Sequence, residues 1–239
     1  MIRRDAIYPD RIHALLTFES SAGLIAAAGP YQRDLGLFLA EHDPSGPFMF
    51  SFESSEDETL EVESSLGIEW IVLSTPDGDW PQFATAFRKH VDCLGKHCVP
   101  FEPMALFVRE SFAVPLWPRE DHSLPISRLF SVNLQGPAEV TGLPILGMKW
   151  EMTYDARPED GELAVLIEHR PADENGLERV ILEIERILPL PDASLDNLDS
   201  CLEAAHQRIL ATRDALLTPE ALSLVEEVER KNLEPEEED

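Results

Sequence analysis

Three residues on one predicted helix carry the side chains best suited to holding a metal: His90, Cys93 and His97. At about 100° per residue they fall within roughly 60° of one another, on one face. Imidazole nitrogen and thiolate sulfur are zinc ligands, and a fourth ligand would come from elsewhere in the chain. The spacing matches no established zinc signature, and Lys89 and Lys96 beside it oppose a cation. The same residues would also serve as the half-buried flank of an amphipathic helix, with Cys98 in its apolar stripe. Zinc bound at His90, Cys93 and His97 therefore stands as an alternative to a plain helix flank.

A second polar pair lies near the C-terminus. His206 and Arg213, seven residues apart, share the apolar face of a predicted helix. Polar groups placed there need hydrogen-bond partners. Glu183 and Glu185 on a predicted strand are the internal partners expected. Otherwise the pair would anchor a small acidic ligand or a partner protein. Trp117, Phe130, Trp150 and Tyr154 offer an aromatic patch for a partner, with burial in the core as the alternative. We take His206, Arg213, Trp117 and Trp150 as candidate partner or ligand contacts.

Catalytic patterns are sparse. The carboxylate pairs Glu61/Glu63, Glu151/Asp155 and Glu183/Glu185 read as solvated faces. The sequence has no G-x-S-x-G, no phosphate-binding glycine loop, no dinucleotide fingerprint and no H-E-x-x-H. The expectation leans away from an enzyme and names no catalytic residue.

The elements that must position these residues follow from periodicity. Ile12, Ala14, Leu16 and Phe18 alternate along a strand over 11–19. A helix is expected over 22–41, kinked at Gly29-Pro30 because proline lacks an amide donor. Strands are expected at 48–53, 60–63 and 68–74. The next helix spans 81–98, capped by Asp79, with a stripe of Phe83, Phe87, Val91, Leu94 and Cys98. A long strand over 104–116, apolar on both faces, should be central. Further strands are expected at 129–134, 146–154, 162–169 and 178–187. Their connections are too short for crossovers, so they should form an antiparallel meander. A helix over 195–217 and another from Pro219 close the fold. The expectation is α+β, with two lobes of mainly antiparallel sheet and helices on one face. The N-terminal lobe would span 1–117. The C-terminal sheet with its two helices would span 126–233, and 234–239 would form an acidic tail.

Charge is the strongest compositional signal. The chain of 239 residues carries 46 acids against 19 Lys and Arg, a net charge of −27. Both halves share the excess, so it is not confined to the tail. Such a field repels nucleic acid phosphates and attracts basic surfaces. It is also what an acidic, lysine-poor proteome would produce. Three cysteines give no disulfide framework. The first residues lack a signal-peptide pattern and no apolar run reaches membrane length, so a cytoplasmic location is expected, with no membrane or direct nucleic acid partner.

Residues 180–187 (VILEIERI), Leu198, Leu202, Ala205-His206, Ile209 and Leu216-Leu217-Thr218-Pro219 together resemble the closing segment of a sporadically distributed, uncharacterised bacterial protein family. Arg213 stands where that family usually has an aromatic. Arg109 is the weak counterpart of its arginine-rich central strand. The resemblance implies no known activity; patchy distribution associates it with anti-phage defence. The leading expectation is a non-catalytic interaction or regulatory protein that binds a basic partner, such as a DNA-binding or transcription factor. The alternatives are a metal protein or enzyme using His90, Cys93 and His97, and an acidic nucleic-acid mimic.

Overall fold

The computed structural model describes residues 9–19, 22–39, 50–53, 63–67, 69–76, 79–98, 101–116, 124, 126–131, 148–155, 161–171, 178–190 and 195–221. Its strands are β1 (Pro9–Phe18), β2 (Phe38–Leu39), β3 (Phe50–Glu53), β4 (Glu63–Leu66), β5 (Trp70–Pro76), β6 (Pro103–Leu116), β7 (Lys149–Asp155), β8 (Glu162–Arg170) and β9 (Glu178–Pro189). The helices described are α1 (Ala22–Leu35), α2 (Trp80–His97), α3 (Ile126–Leu129) and α4 (Leu198–Leu216). This is an α+β fold.

All nine strands join one sheet in the order β2-β3-β4-β5-β1-β6-β9-β8-β7. Every pairing is antiparallel. Side chains alternate between the faces of a strand, and the register aligns the apolar sets. Ile12 pairs with Glu110, Glu110 with Ile184, and Ile184 with Val165. On that face Ile12, Ala14, Leu16, Leu106, Val108, Phe112, Leu182 and Ile184 are sealed from solvent. Burying each large one contributes roughly 1.5–3 kcal/mol. The helices α1, α2 and α4 cover this face, α4 lying over β6 and β9.

The helices follow local rules. In α2, Pro81 stands in the first turn, where its missing amide costs nothing. Asp79 occupies the cap position but gives no side-chain cap bond; its carbonyl receives the Phe83 amide at 2.9 Å. The stripe Phe83, Phe87, Val91, Leu94 and Cys98 is fully buried, as its spacing predicts. Pro30 lies inside α1, as expected, but the helix stops at Leu35 and not at Glu41. Gly36 takes φ 67°, and the Leu37 amide reaches back to the Gln32 carbonyl at 3.0 Å, a closing bond that ends the helix.

The remaining expectations meet the described residues only in part. The strand expected over 129–134 is absent from its described part. Instead α3 leads into Phe130, which makes one bridge to Leu217. Ser131 N–H bonds the Leu216 carbonyl and Thr218 N–H bonds the Leu129 carbonyl, so this segment is tied to the end of α4. The strand expected around Leu60 lies outside the described residues, and β4 begins at Glu63. The expected junction between 117 and 126 is described only at Leu124. Across it the sheet is continuous, because β6 pairs with β9 from Ala105–Pro189 to Leu116–Glu178. Residues 222–239, including the expected acidic tail, are outside the described set.

Candidate functional sites on the helix layer

The sheet face under α4 carries one acid among hydrophobes. Glu110 points inward from β6 between Val108 and Phe112, and it is wholly buried. Its Oε1 bonds His206 Nδ1 of α4 at 2.6 Å, whereas its Oε2 has no hydrogen-bond partner among the described residues. The His206 ring stacks on Trp80 at 4.1 Å between centroids, nearly parallel. Trp80 Nε1 donates to Glu203 Oε2 at 3.1 Å, and Gln207 Nε2 donates to Glu203 Oε1 at 2.8 Å. Those two donors hold the Glu203 carboxyl below its usual range. A single network thus ties β6, α2 and α4 together.

His206 does find an acid partner, but it is Glu110. Glu183 and Glu185 project from the opposite face, where Arg109 donates to Glu185 Oε2 at 2.9 and 2.7 Å and approaches Glu183 at 3.9 Å. A shift of one residue along a strand reverses its face, which is why odd-numbered Glu183 and Glu185 cannot reach α4. Arg213 lies over the Phe112 ring, 5.2 Å from guanidinium carbon to centroid, and also bonds Asp214. Glu110 and Phe112 are successive inward positions of β6, so His206 and Arg213 share one line along it. Glu110 was missed by motif reading. Its signal was an acid at the inward phase of an otherwise apolar alternation. In chemical terms, a carboxylate on Nδ1 fixes the imidazole's orientation.

Beside this network a groove of about 350 Å³ opens between α2 and α4, lined by Ala84, Thr85, Arg88, Asp199, Leu202 and Glu203. Arg88 bonds Asp92 at 2.9 Å and the Leu195 carbonyl at 3.0 Å, and it reaches Asp199 at 3.6 Å. Its guanidinium is held above its usual range chiefly by the Asp92 hydrogen bond. Its lining sets the acids Asp199 and Glu203 against the single base Arg88, with Ala84 and Leu202 as apolar members.

The expected cluster on α2 divides. His90 turns inward, and its Nδ1 meets the Tyr31 hydroxyl of α1 at 2.6 Å. Burial pushes His90 down to about 4, with Lys89 adding to the effect, and holds the Tyr31 phenol above its usual range. The Ser64 hydroxyl lies beside that phenol and slightly opposes the effect of burial. Cys93 and His97 instead converge with Asp34 of α1. His97 Nε2 is 2.7 Å from Asp34 Oδ2, and the ligand atoms of all three lie within 4.8 Å of one another. Burial, reinforced by Asp34, raises the Cys93 thiol.

The aromatic candidates do not form one exposed patch among the described residues. Phe130 is buried, Trp150 is half-buried against the core and pairs with Ile167, and Tyr154 is 45% exposed. Trp117 lies outside the described residues. Among the described residues no helix is long and apolar enough to cross a membrane. No protein-family model matches the chain, and comparison with curated proteins finds no match.

Proposed function

We propose that this protein works by binding a basic protein partner, with the groove between α2 and α4 as the contact. The observation that supports this reading is the net charge of −27 together with a groove in which Glu203 and Asp199 stand beside apolar Ala84 and Leu202, its one base, Arg88, being already paired with Asp92 and Asp199. Glu203 is fixed as a carboxylate by Trp80 and Gln207, so its charge is pre-oriented toward an incoming ammonium or guanidinium group. Ala84 and Leu202 would receive the aliphatic stem of the same lysine or arginine. A DNA-binding factor is the class of protein that displays such a surface. The field would speed encounter more than it would deepen affinity, and salt would weaken it.

The test is capture from native cell extract with the wild type and with the Asp199→Asn/Glu203→Gln variant, at low and high ionic strength. The expected result is a basic protein retained by the wild type at low salt and lost both at high salt and with the variant. Retention that ignores salt and variant alike refutes the reading.

A further inference from the structure

We infer that Asp34, Cys93 and His97 form a zinc site that bridges α1 and α2. Cys93 and His97 stand at i and i+4 on α2, the spacing that brings two ligands onto one side of a helix. Asp34 comes from the last turn of α1, which packs against α2. The donor set is one sulfur, one nitrogen and one oxygen. That mixture suits zinc, a borderline-soft ion, better than magnesium or calcium, which take oxygen ligands.

The geometry is close to what the ion needs. Around tetrahedral zinc, ligand atoms lie about 3.3–3.6 Å apart, given bonds of about 2.0–2.3 Å. Here the three donor atoms lie within 4.8 Å, and the His97–Asp34 separation is 2.7 Å. The widest gap has to close by about 1 Å and the hydrogen bond has to open by about 0.6 Å. The Asp34 and His97 side chains are 44% and 26% exposed, so rotation about their side-chain bonds can supply both movements. Cys93 is buried and provides the fixed point.

Binding converts the Cys93 thiol to a thiolate. The S–H proton passes to solvent as the sulfur–zinc bond forms; the Nε2 proton that His97 shares with Asp34 also leaves to solvent, Nδ1 then carrying the ring's N–H, so that Nε2 and the carboxylate each bond the ion. Thiolate and carboxylate then cancel the charge of the dication, which offsets repulsion from Lys89 and Lys96. The fourth position is left for water or for a further ligand. His90 takes no part: its ring turns to Tyr31, and it is not among the residues whose ligand atoms converge. The site lies on the α1 flank of α2, whereas the groove proposed for the partner lies on the α4 flank. Either reading can therefore fail alone.

The experiment uses the full chain, stripped by chelator and titrated with cobalt(II) as a spectroscopic stand-in, followed by competition with zinc(II). Wild type is expected to take one equivalent, giving a thiolate-to-cobalt charge-transfer band and the visible bands of a four-coordinate ion. Zinc should displace it. Asp34→Asn, at an exposed position, should weaken zinc by about tenfold or more without loss of fold. Cys93→Ser should abolish the charge-transfer band, and Cys201→Ser should keep it. Absence of that band in folded wild type, or Asp34→Asn binding zinc as tightly as wild type, overturns the inference.

Discussion

Acid should destabilise this protein through His90 in particular. The ring is buried in the α1–α2 layer with its Nδ1 against the Tyr31 hydroxyl, and burial lowers it from 6.5 to about 4. The folded state keeps the ring neutral, whereas the unfolded chain leaves it in water. Between about pH 6.5 and 4 the unfolded chain therefore binds a proton that the folded one refuses. Stability from this group is complete above that window and falls as the pH drops through it. A displacement of about 2.5 units corresponds to about 3 kcal/mol, of which about 2 kcal/mol is lost between pH 7 and 4.5. Other groups also titrate there, so the measurement has to be a difference. His90→Asn keeps an acceptor near the Nδ1 position and carries no titrating proton. Urea unfolding of wild type and variant at several pH values gives the stability difference directly. The wild type should lose about 2 kcal/mol more than the variant over that range. Parallel pH profiles, or an NMR titration of the His90 ring centred near 6.5, would refute the reasoning.

Two further outcomes follow from the geometry. His206→Leu strips from wholly buried Glu110 its one hydrogen bond among the described residues and should cost about 2–5 kcal/mol in urea unfolding. Adding Glu110→Leu should recover part of that, since two apolar groups leave nothing unsatisfied. Gly36 and Gly161 both hold positive φ, 67° and 70°, but a Cβ on Gly161 would stand 1.9 Å from the Ile187 carbonyl oxygen, whereas one on Gly36 meets nothing within 4 Å. Gly36→Ala should therefore cost about 1 kcal/mol and Gly161→Ala clearly more, read as the difference in thermal midpoint.

Strand and helix phases were legible wherever alternation or stripe was long. β1, β6, β8, β9 and α2 all lie within a few residues of where Ile12–Phe18, Met104–Leu116, Leu163–Ile167, Val180–Ile184 and Phe83–Cys98 put them. The order of strands was not legible. β6 and β9 are distant in sequence, and nothing local says that their apolar faces meet. The partners of the polar side chains depend on that order. Placing His206 over Glu110 requires knowing that α4 crosses β6, and bringing Asp34 to Cys93 and His97 requires knowing that α1 packs beside α2. Sequence periodicity names the face of a residue but not what lies opposite it. That is why His90, in phase with Cys93 and His97 on paper, proves to belong to Tyr31.

The position of β6 bears on how the chain reaches its final form. This strand runs fourteen residues in the middle of the sheet, with β1 on one side and β9 on the other. During synthesis its β1 edge can zip up early, but its other edge waits until Glu178–Pro189 has left the ribosome. In that interval a long row of unsatisfied amides and carbonyls is open to any neighbouring chain. Folding dominated by such distant pairings is slow. Fragments that stop before β9 should accordingly collect in inclusion bodies, and chaperone capacity should govern the yield of the whole chain.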